Sequence, residues 1–148
     1  MTEIFAMTQG HPLWQKTLAF AQQCSWRAGP YLAGLMRAGG FLPWERVFSA
    51  WVDGKIAGFC TLTEKDALPE PCGFSPFIGF VFVESAFRGH RLSEKMIREA
   101  LRYAGSCGFE QVYLISGEKR LYEKYGFSKI GDSLTIHGTM DQLFVKRT

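Results

Sequence analysis

The chain is poor in the residues that build metal centres and covalent frameworks, holding 4 cysteines and 3 histidines among 148 residues. Cys24, Cys60, Cys72 and Cys107 lie far apart with no Cys-x-x-Cys pair. That spacing argues against a compact disulfide framework and against a metal site. Four free thiols in a reducing, cytoplasmic setting are expected. Charge of one sign is also scarce, because 17 basic and 14 acidic side chains leave a formal net charge of +3. So even a balance calls for no nucleic acid as partner. No apolar run approaches the length of a membrane span, and Met1-Thr2-Glu3-Ile4-Phe5-Ala6 lacks the basic start and apolar core of a signal peptide. No membrane association is expected.

What is present is the material of a globular core: 47% of the residues are hydrophobic and 15% aromatic. A chain of this length forms one domain, residues 1–148, and buries roughly two-thirds of its unfolded surface. Ile4 to Met7 reads as a short strand. Leu13, Trp14, Leu18 and Ala21 recur at helical spacing within a first helix from about Pro12 to Cys24. Gly29-Pro30 interrupts the pattern before a second short helix through Tyr31, Leu32, Leu35 and Met36 that stops at Gly39-Gly40. Arg46 to Val52 and Lys55 to Thr63 are strand-like and flank Asp53-Gly54, a strong hairpin signal because a type I′ turn needs positive φ at both central positions. Glu64 to Pro76, with three prolines and Gly73, is a loop whose Glu64, Asp66 and Glu70 read as a solvated acidic stretch or, alternatively, as groups that attract a cationic amine.

The chain is organised around Phe77 to Ser93. An apolar, β-branched and aromatic run of strand length leads through a polar turn into Arg88-Gly89-His90-Arg91 and then into a helical pattern. From Leu92 to Ala104 the apolar positions fall on one helical face, and Gly105 and Gly108 end the helix. Gln111 to Ile115 follows as a strand, so the unit is β-α-β with parallel strands. Helix-start amides have no carbonyl partners and carry the positive end of the helix dipole, so they seat phosphate oxygens. Gly89 lets a ligand approach the backbone, and Arg88, His90 and Arg91 add donors around the same turn. Beyond it, Glu118 to Tyr125 reads as a short helix ended by Gly126. Phe127 to Ile130, a turn near Gly131-Asp132, and strands around Leu134 to Ile136 and Leu143 to Lys146 close the chain.

Val83-x-x-x-x-Arg88-Gly89-x-Arg91-Leu92-Ser93 resembles the acetyl-CoA loop of the GNAT family of N-acetyltransferases, Arg/Gln-x-x-Gly-x-Gly/Ala after a strand, with Arg91 at the inner glycine and Ser93 at the final Gly/Ala. Leu121-Tyr122-Glu123-Lys124-Tyr125-Gly126-Phe127 resembles the family's later Tyr-x-x-x-Gly-Phe motif. The resemblance implies an α/β fold of the α+β kind: a mixed, mostly antiparallel sheet flanked by helices, with a parallel β-α-β unit forming the acetyl-CoA site. It implies acetyl-CoA as co-substrate, held by the backbone of Val81, Phe82 and Val83 and by a diphosphate loop of Arg88, Gly89, His90, Arg91, Leu92 and Ser93. Tyr122 falls on the tyrosine that protonates the departing thiolate. A phenol, with a reference pKa near 10, is protonated at neutrality and suits that task.

The implied reaction is direct attack of an amine, on a small molecule or a peptide, in a ternary complex within a monomer or homodimer. For the general base the sequence offers Glu84, Glu118 or a water relay. Where many members carry Asn-x-x-Ala before the tyrosine, this chain has Ile115-Ser116-Gly117-Glu118, and Ser116 stands as the substitute contact. Trp26, Trp44 and Trp51 read either as acceptor-site walls or as core and rim. The alternative reading is a non-catalytic acyl-CoA-binding module on the same fold.

Overall fold

The computed structural model describes all residues, 1–148. Its elements are β1 (Thr2–Met7), α1 (Trp14–Gln23), α2 (Gly29–Ala38), β2 (Arg46–Val52), β3 (Lys55–Thr63), β4 (Phe77–Val83), a 3-10 turn (Ser85–Phe87), α3 (Leu92–Ser106), β5 (Gln111–Ser116), α4 (Leu121–Lys124), β6 (Ser128–Leu134) and β7 (Met140–Arg147). The strands form one seven-stranded sheet in the order β1-β2-β3-β4-β5-β7-β6. All neighbours are antiparallel except β4 and β5, joined by the α3 crossover.

Two cores lie on opposite faces of the sheet, because successive strand residues alternate sides. Met96, Ile97, Ala100, Leu101 and Ala104 of α3 pack with Cys60, Leu62, Ile78 and Leu114 on one face. Trp14, Leu18, Leu32 and Met36 of α1 and α2 pack with Val47, Phe59 and Phe82 on the other. Each fully buried aliphatic side chain of these layers contributes about 1.5–3 kcal/mol, so the α3 stripe alone anchors the crossover firmly.

Local signals place most boundaries. Asp53 and Gly54 adopt φ of 49° and 79°, as the hairpin turn demands. Gly29-Pro30 opens α2, since proline suits a helix's first turn, where its missing N–H breaks no bond. The chain runs helically through Gly105, and Gly108, at φ 94°, follows the end of α3.

Two expectations need correction. Gly131-Asp132 is not a turn: β6 passes straight through it with a register shift between Lys129 and Gly131, and the chain reverses around Thr135 to Thr139. There the Thr135 side chain accepts the Thr139 N–H and meets the Thr139 hydroxyl at 2.8 Å, so a local threonine turn outcompetes the Gly-Asp signal. The helix expected over Glu118 to Tyr125 shortens to Leu121–Lys124, because Arg120 sits at φ 70° and breaks the helical path just before it.

Candidate active site

β4 and β5 part company almost at once. Their parallel pairing is confined to Phe77 with Tyr113 and Ile78 with Leu114, so from Gly79 to Val83 the edge of β4 facing β5 has no strand partner. At the same place β4 carries a bulge: Phe59 pairs with Phe82 and Thr61 with Gly79, so three steps on β4 oppose two on β3. Phe80 absorbs the extra residue at φ 49°, a conformation aromatic residues rarely adopt. The two strands thus open a cleft of about 1870 Å³, and Val81, Phe82, Val83, Arg88, Ser93 and Tyr122 all line it.

The loop after β4 is built to leave amides free. Glu84 N–H donates to the Ala57 carbonyl at 2.8 Å, the 3-10 turn follows, and Gly89 reverses the chain at φ 88°. Arg91 then caps α3 from the left-handed region at φ 60°, with no side-chain cap. The first α3 bond runs from Lys95 N–H to the Arg91 carbonyl at 3.0 Å. The N–H groups of Leu92, Ser93 and Glu94 therefore point outward without an intrahelical acceptor. A phosphate oxygen is the partner such a row suits best.

The side chains of this loop play unequal parts. Arg88 folds back, its Nε donating to the Val83 carbonyl at 2.9 Å and its guanidinium lying 6.0 Å from the Phe82 ring centre. The Arg91 guanidinium bonds Glu94 at 2.8 Å along the helix, and His90 is exposed. Leu92 is buried in the α3 core and offers only its backbone. Ser93 Oγ lies 2.7 Å from the Tyr125 phenol, which ties the loop to α4.

Tyr122 projects from α4 between Phe127 and Phe144, with ring centres 6.1 and 5.8 Å away, and is 6% exposed. Burial pushes its phenol above the usual range; the Glu118 carboxylate adds to that, and the Ser116 hydroxyl opposes it. Its proton is therefore held firmly at neutrality. Glu118 lies on the cleft wall in the loop before α4. Glu84 is engaged elsewhere, accepting from the Ser25 hydroxyl at 3.2 Å and from Ser85 N–H at 3.3 Å.

On the α1/α2 side the cleft has an aromatic wall. Trp26 stacks on Phe82 at 5.7 Å, and Tyr31 stacks on Phe80 at 6.1 Å. Of the four tryptophans, only Trp26 lines the cleft. Trp44 packs on Phe109 at 4.9 Å, and Trp51 is buried with its Nε1–H on Ser49 Oγ at 2.8 Å.

The sequence misplaces one residue of consequence. Asp66 is not part of a solvated acidic stretch but turns inward over Gly79. There its Oδ2 lies 2.6 Å from where a Cβ would stand. The loop is pinned to allow this: Ser75 Oγ donates to the Glu64 carbonyl at 2.9 Å, Ile136 N–H to the Ala67 carbonyl at 2.7 Å, and Leu68 is buried. Asp66 Oδ1 accepts the Ala67 N–H at 2.6 Å. Burial nevertheless raises the carboxyl from 3.8 to about 6, with the Ala67 N–H and His137 pulling it down and Asp141 pushing it up. The signal in the sequence is the acidic charge of Glu64, Asp66 and Glu70, which suits a cationic amine but does not tell which carboxylate turns inward.

A sheet that parts along one parallel junction, with unpartnered helix-start amides at its mouth and a buried phenol on its wall, belongs to an acyltransferase. The sequence model of the acetyltransferase (GNAT) family matches residues 11–127, and the chain belongs to that family. No curated protein matches it by sequence. Among solved structures it is similar to a GNAT-family acetyltransferase from Streptococcus pneumoniae, with 15% identity, 99% of both chains covered and a TM-score of 0.70. An aminoglycoside 6′-acetyltransferase type Ii is similar over 98% of this chain and 96% of its own, with 16% identity and a TM-score of 0.73. A GNAT acetyltransferase from Elizabethkingia anophelis, solved with acetyl-CoA bound, is similar over 99% of this chain and 98% of its own, with 16% identity and a TM-score of 0.67.

Proposed function

We propose that this acyltransferase moves the acetyl group of acetyl-CoA to an amine by direct attack within a ternary complex. The observation that carries the reading is the early parting of β4 from β5, which leaves a strand edge open beside the free amides of α3. The residues present fit the donor. An amide-bearing arm pairs with the open edge of β4 over Val81, Phe82 and Val83 much as an added strand would. The diphosphate meets the amides of Leu92 and Ser93, with Gly89 leaving room and Arg88, His90 and Arg91 supplying positive or protonatable groups at the turn.

When bound, the thioester supplies an activated acetyl carbon; the rest is positioning and proton traffic by the protein. The cleft holds donor and acceptor together, which is worth several kcal/mol of barrier in reactions of this kind. A backbone N–H near Val83 polarises the thioester carbonyl. Tyr122 gives its proton to the sulfur as the C–S bond breaks. A CoA thiolate, whose thiol has a pKa of about 8.5, is a weaker base than a phenolate whose phenol lies at about 10 or higher. The transfer therefore runs uphill by itself and is drawn by C–S cleavage, the phenol giving its proton in concert with the departure of the sulfur.

The test compares wild type with Tyr122→Phe by following free thiol from acetyl-CoA across primary amines, with mass detection of the product. The expected result is turnover in wild type and a loss of about 10²-fold or more in Tyr122→Phe, with CoA affinity within twofold. A wild type that binds CoA yet acetylates no amine would instead support a non-catalytic acyl-CoA module.

A further inference from the structure

Resting on the acetyltransferase reading, the geometry points to Asp66 as the catalytic base, whose Oδ2 takes a proton from the ammonium of the acceptor while the Thr61 hydroxyl holds the same nitrogen. Thr61 and Gly79 are register partners on β3 and β4, on the face that looks toward α1 and α2. A Cβ on Gly79 would stand 2.6 Å from Asp66 Oδ2 and 3.3 Å from Thr61 Oγ1, so the missing side chain is what lets the carboxylate settle over β4 on the same side as the Thr61 hydroxyl. Thr61 is 1% exposed, and its hydroxyl has no hydrogen-bond partner. An unmet hydroxyl in such a place costs about 1–3 kcal/mol unless a ligand completes it. Both residues line the same cleft as Tyr122.

The surroundings suit a cation with an apolar body. The β4 bulge turns Phe80 onto the α1/α2 side, where Tyr31 stacks on it and Trp26 meets it edge-on. Such rings attract an ammonium and cover a hydrocarbon or flat scaffold. Facing Asp66 are His137 from the β6–β7 turn and Asp141 from β7, with Glu64 and Lys65 on its own loop. Glu118 and Lys119 lie across the cleft on the β5–α4 loop. Neither earlier carboxylate candidate shares this position: Glu84 is spent on Ser25 and Ser85, and Glu118 lies beside Tyr122.

The proton balance closes. Asp66 accepts one proton from the ammonium, freeing the nitrogen lone pair to form the C–N bond as the C–S bond breaks. Tyr122 protonates the sulfur and recovers a proton from the new amide nitrogen, and Asp66 releases its own to water. One ammonium and one thioester yield one amide, one thiol and one proton. Because the carboxyl is raised to about 6, it is ionised at neutrality yet a stronger base than an exposed aspartate.

The experiment measures kcat/KM against pH for wild type, Asp66→Asn and Thr61→Val. Tyramine, spermidine and a lysine-containing peptide serve as acceptors, with CoA affinity by calorimetry on each protein. In wild type, kcat/KM should fall as pH drops through about 6. Asp66→Asn should lose about 10²–10⁴-fold in kcat with CoA affinity unchanged, and the acid limb near 6 should vanish. Thr61→Val should raise the amine KM several-fold while keeping that limb. An Asp66→Asn enzyme with wild-type kcat and an intact acid limb overturns the assignment of the base and leaves the acetyltransferase reading standing. A wild type that binds CoA and acetylates none of the three amines overturns both. A misfolded Asp66→Asn is recognised by lost CoA binding, and the wild-type profile then decides, since a flat line between pH 5 and 7 refutes a base titrating there.

Discussion

Ser93 Oγ and the Tyr125 phenolic oxygen lie 2.7 Å apart, joining the first turn of α3 to the end of α4 across 32 residues of chain. The pair couples the two stretches on which the sequence resemblance rests. It also fills the position at which the motif this loop resembles has glycine or alanine, so a side chain there is given work by a residue from the second motif.

Breaking this pair should loosen the loop without emptying the cleft. Ser93→Ala and Tyr125→Phe should each cost about 1 kcal/mol in urea unfolding, and the double variant should cost less than the sum of the two. A double-mutant cycle with a coupling energy indistinguishable from zero refutes the contact as a source of stability.

Arg91 holds φ 60° at the start of α3, where glycine would be at ease. A non-glycine residue in that region costs roughly 1 kcal/mol, whereas the exposed Arg91–Glu94 ion pair returns only about 0.5 kcal/mol. Arg91→Gly should therefore be equal to or more stable than wild type, and Arg91→Ala the least stable of the three, because it keeps the strain and loses the pair. Chemical denaturation of the set decides it, and Arg91→Ala matching Arg91→Gly would show that the strain is absent.

Stability should respond to pH through Asp66. Its carboxyl is raised from 3.8 to about 6 on folding, so the folded state favours the protonated form. The stabilisation is full below about 4 and is lost as pH rises through about 6, a change of up to about 3 kcal/mol for a shift of this size. Asp66→Asn should remove that slope and be more stable than wild type at pH 8, even as turnover collapses. Thermal melts of both proteins between pH 4 and 8 check the sign, and parallel curves would count against an inward, desolvated carboxylate.

Much of the architecture is legible in the sequence. Asp53-Gly54 dictates a type I′ turn through its own backbone preferences, and the six buried positions of α3 fall where helical periodicity puts them. The Arg88 to Ser93 loop was legible for the same reason, being a contiguous strand, turn and helix start. Glu118 to Tyr125 was overextended because a left-handed Arg120 leaves no trace in helical propensity. Gly131-Asp132 misled because a glycine within a strand marks a bulge as readily as a turn.

Local chemistry alone thus settles the helix faces, the hairpin and the turn that opens α3, since each depends on residues a few places apart in the chain. The cleft does not arise that way. It needs β4 to leave β5 after two paired positions, Tyr122 to be buried against strands from later in the chain, and Asp66 to descend onto a glycine from another strand. Those are contacts between distant segments, and packing, not propensity, sets where their side chains point and which protons they hold.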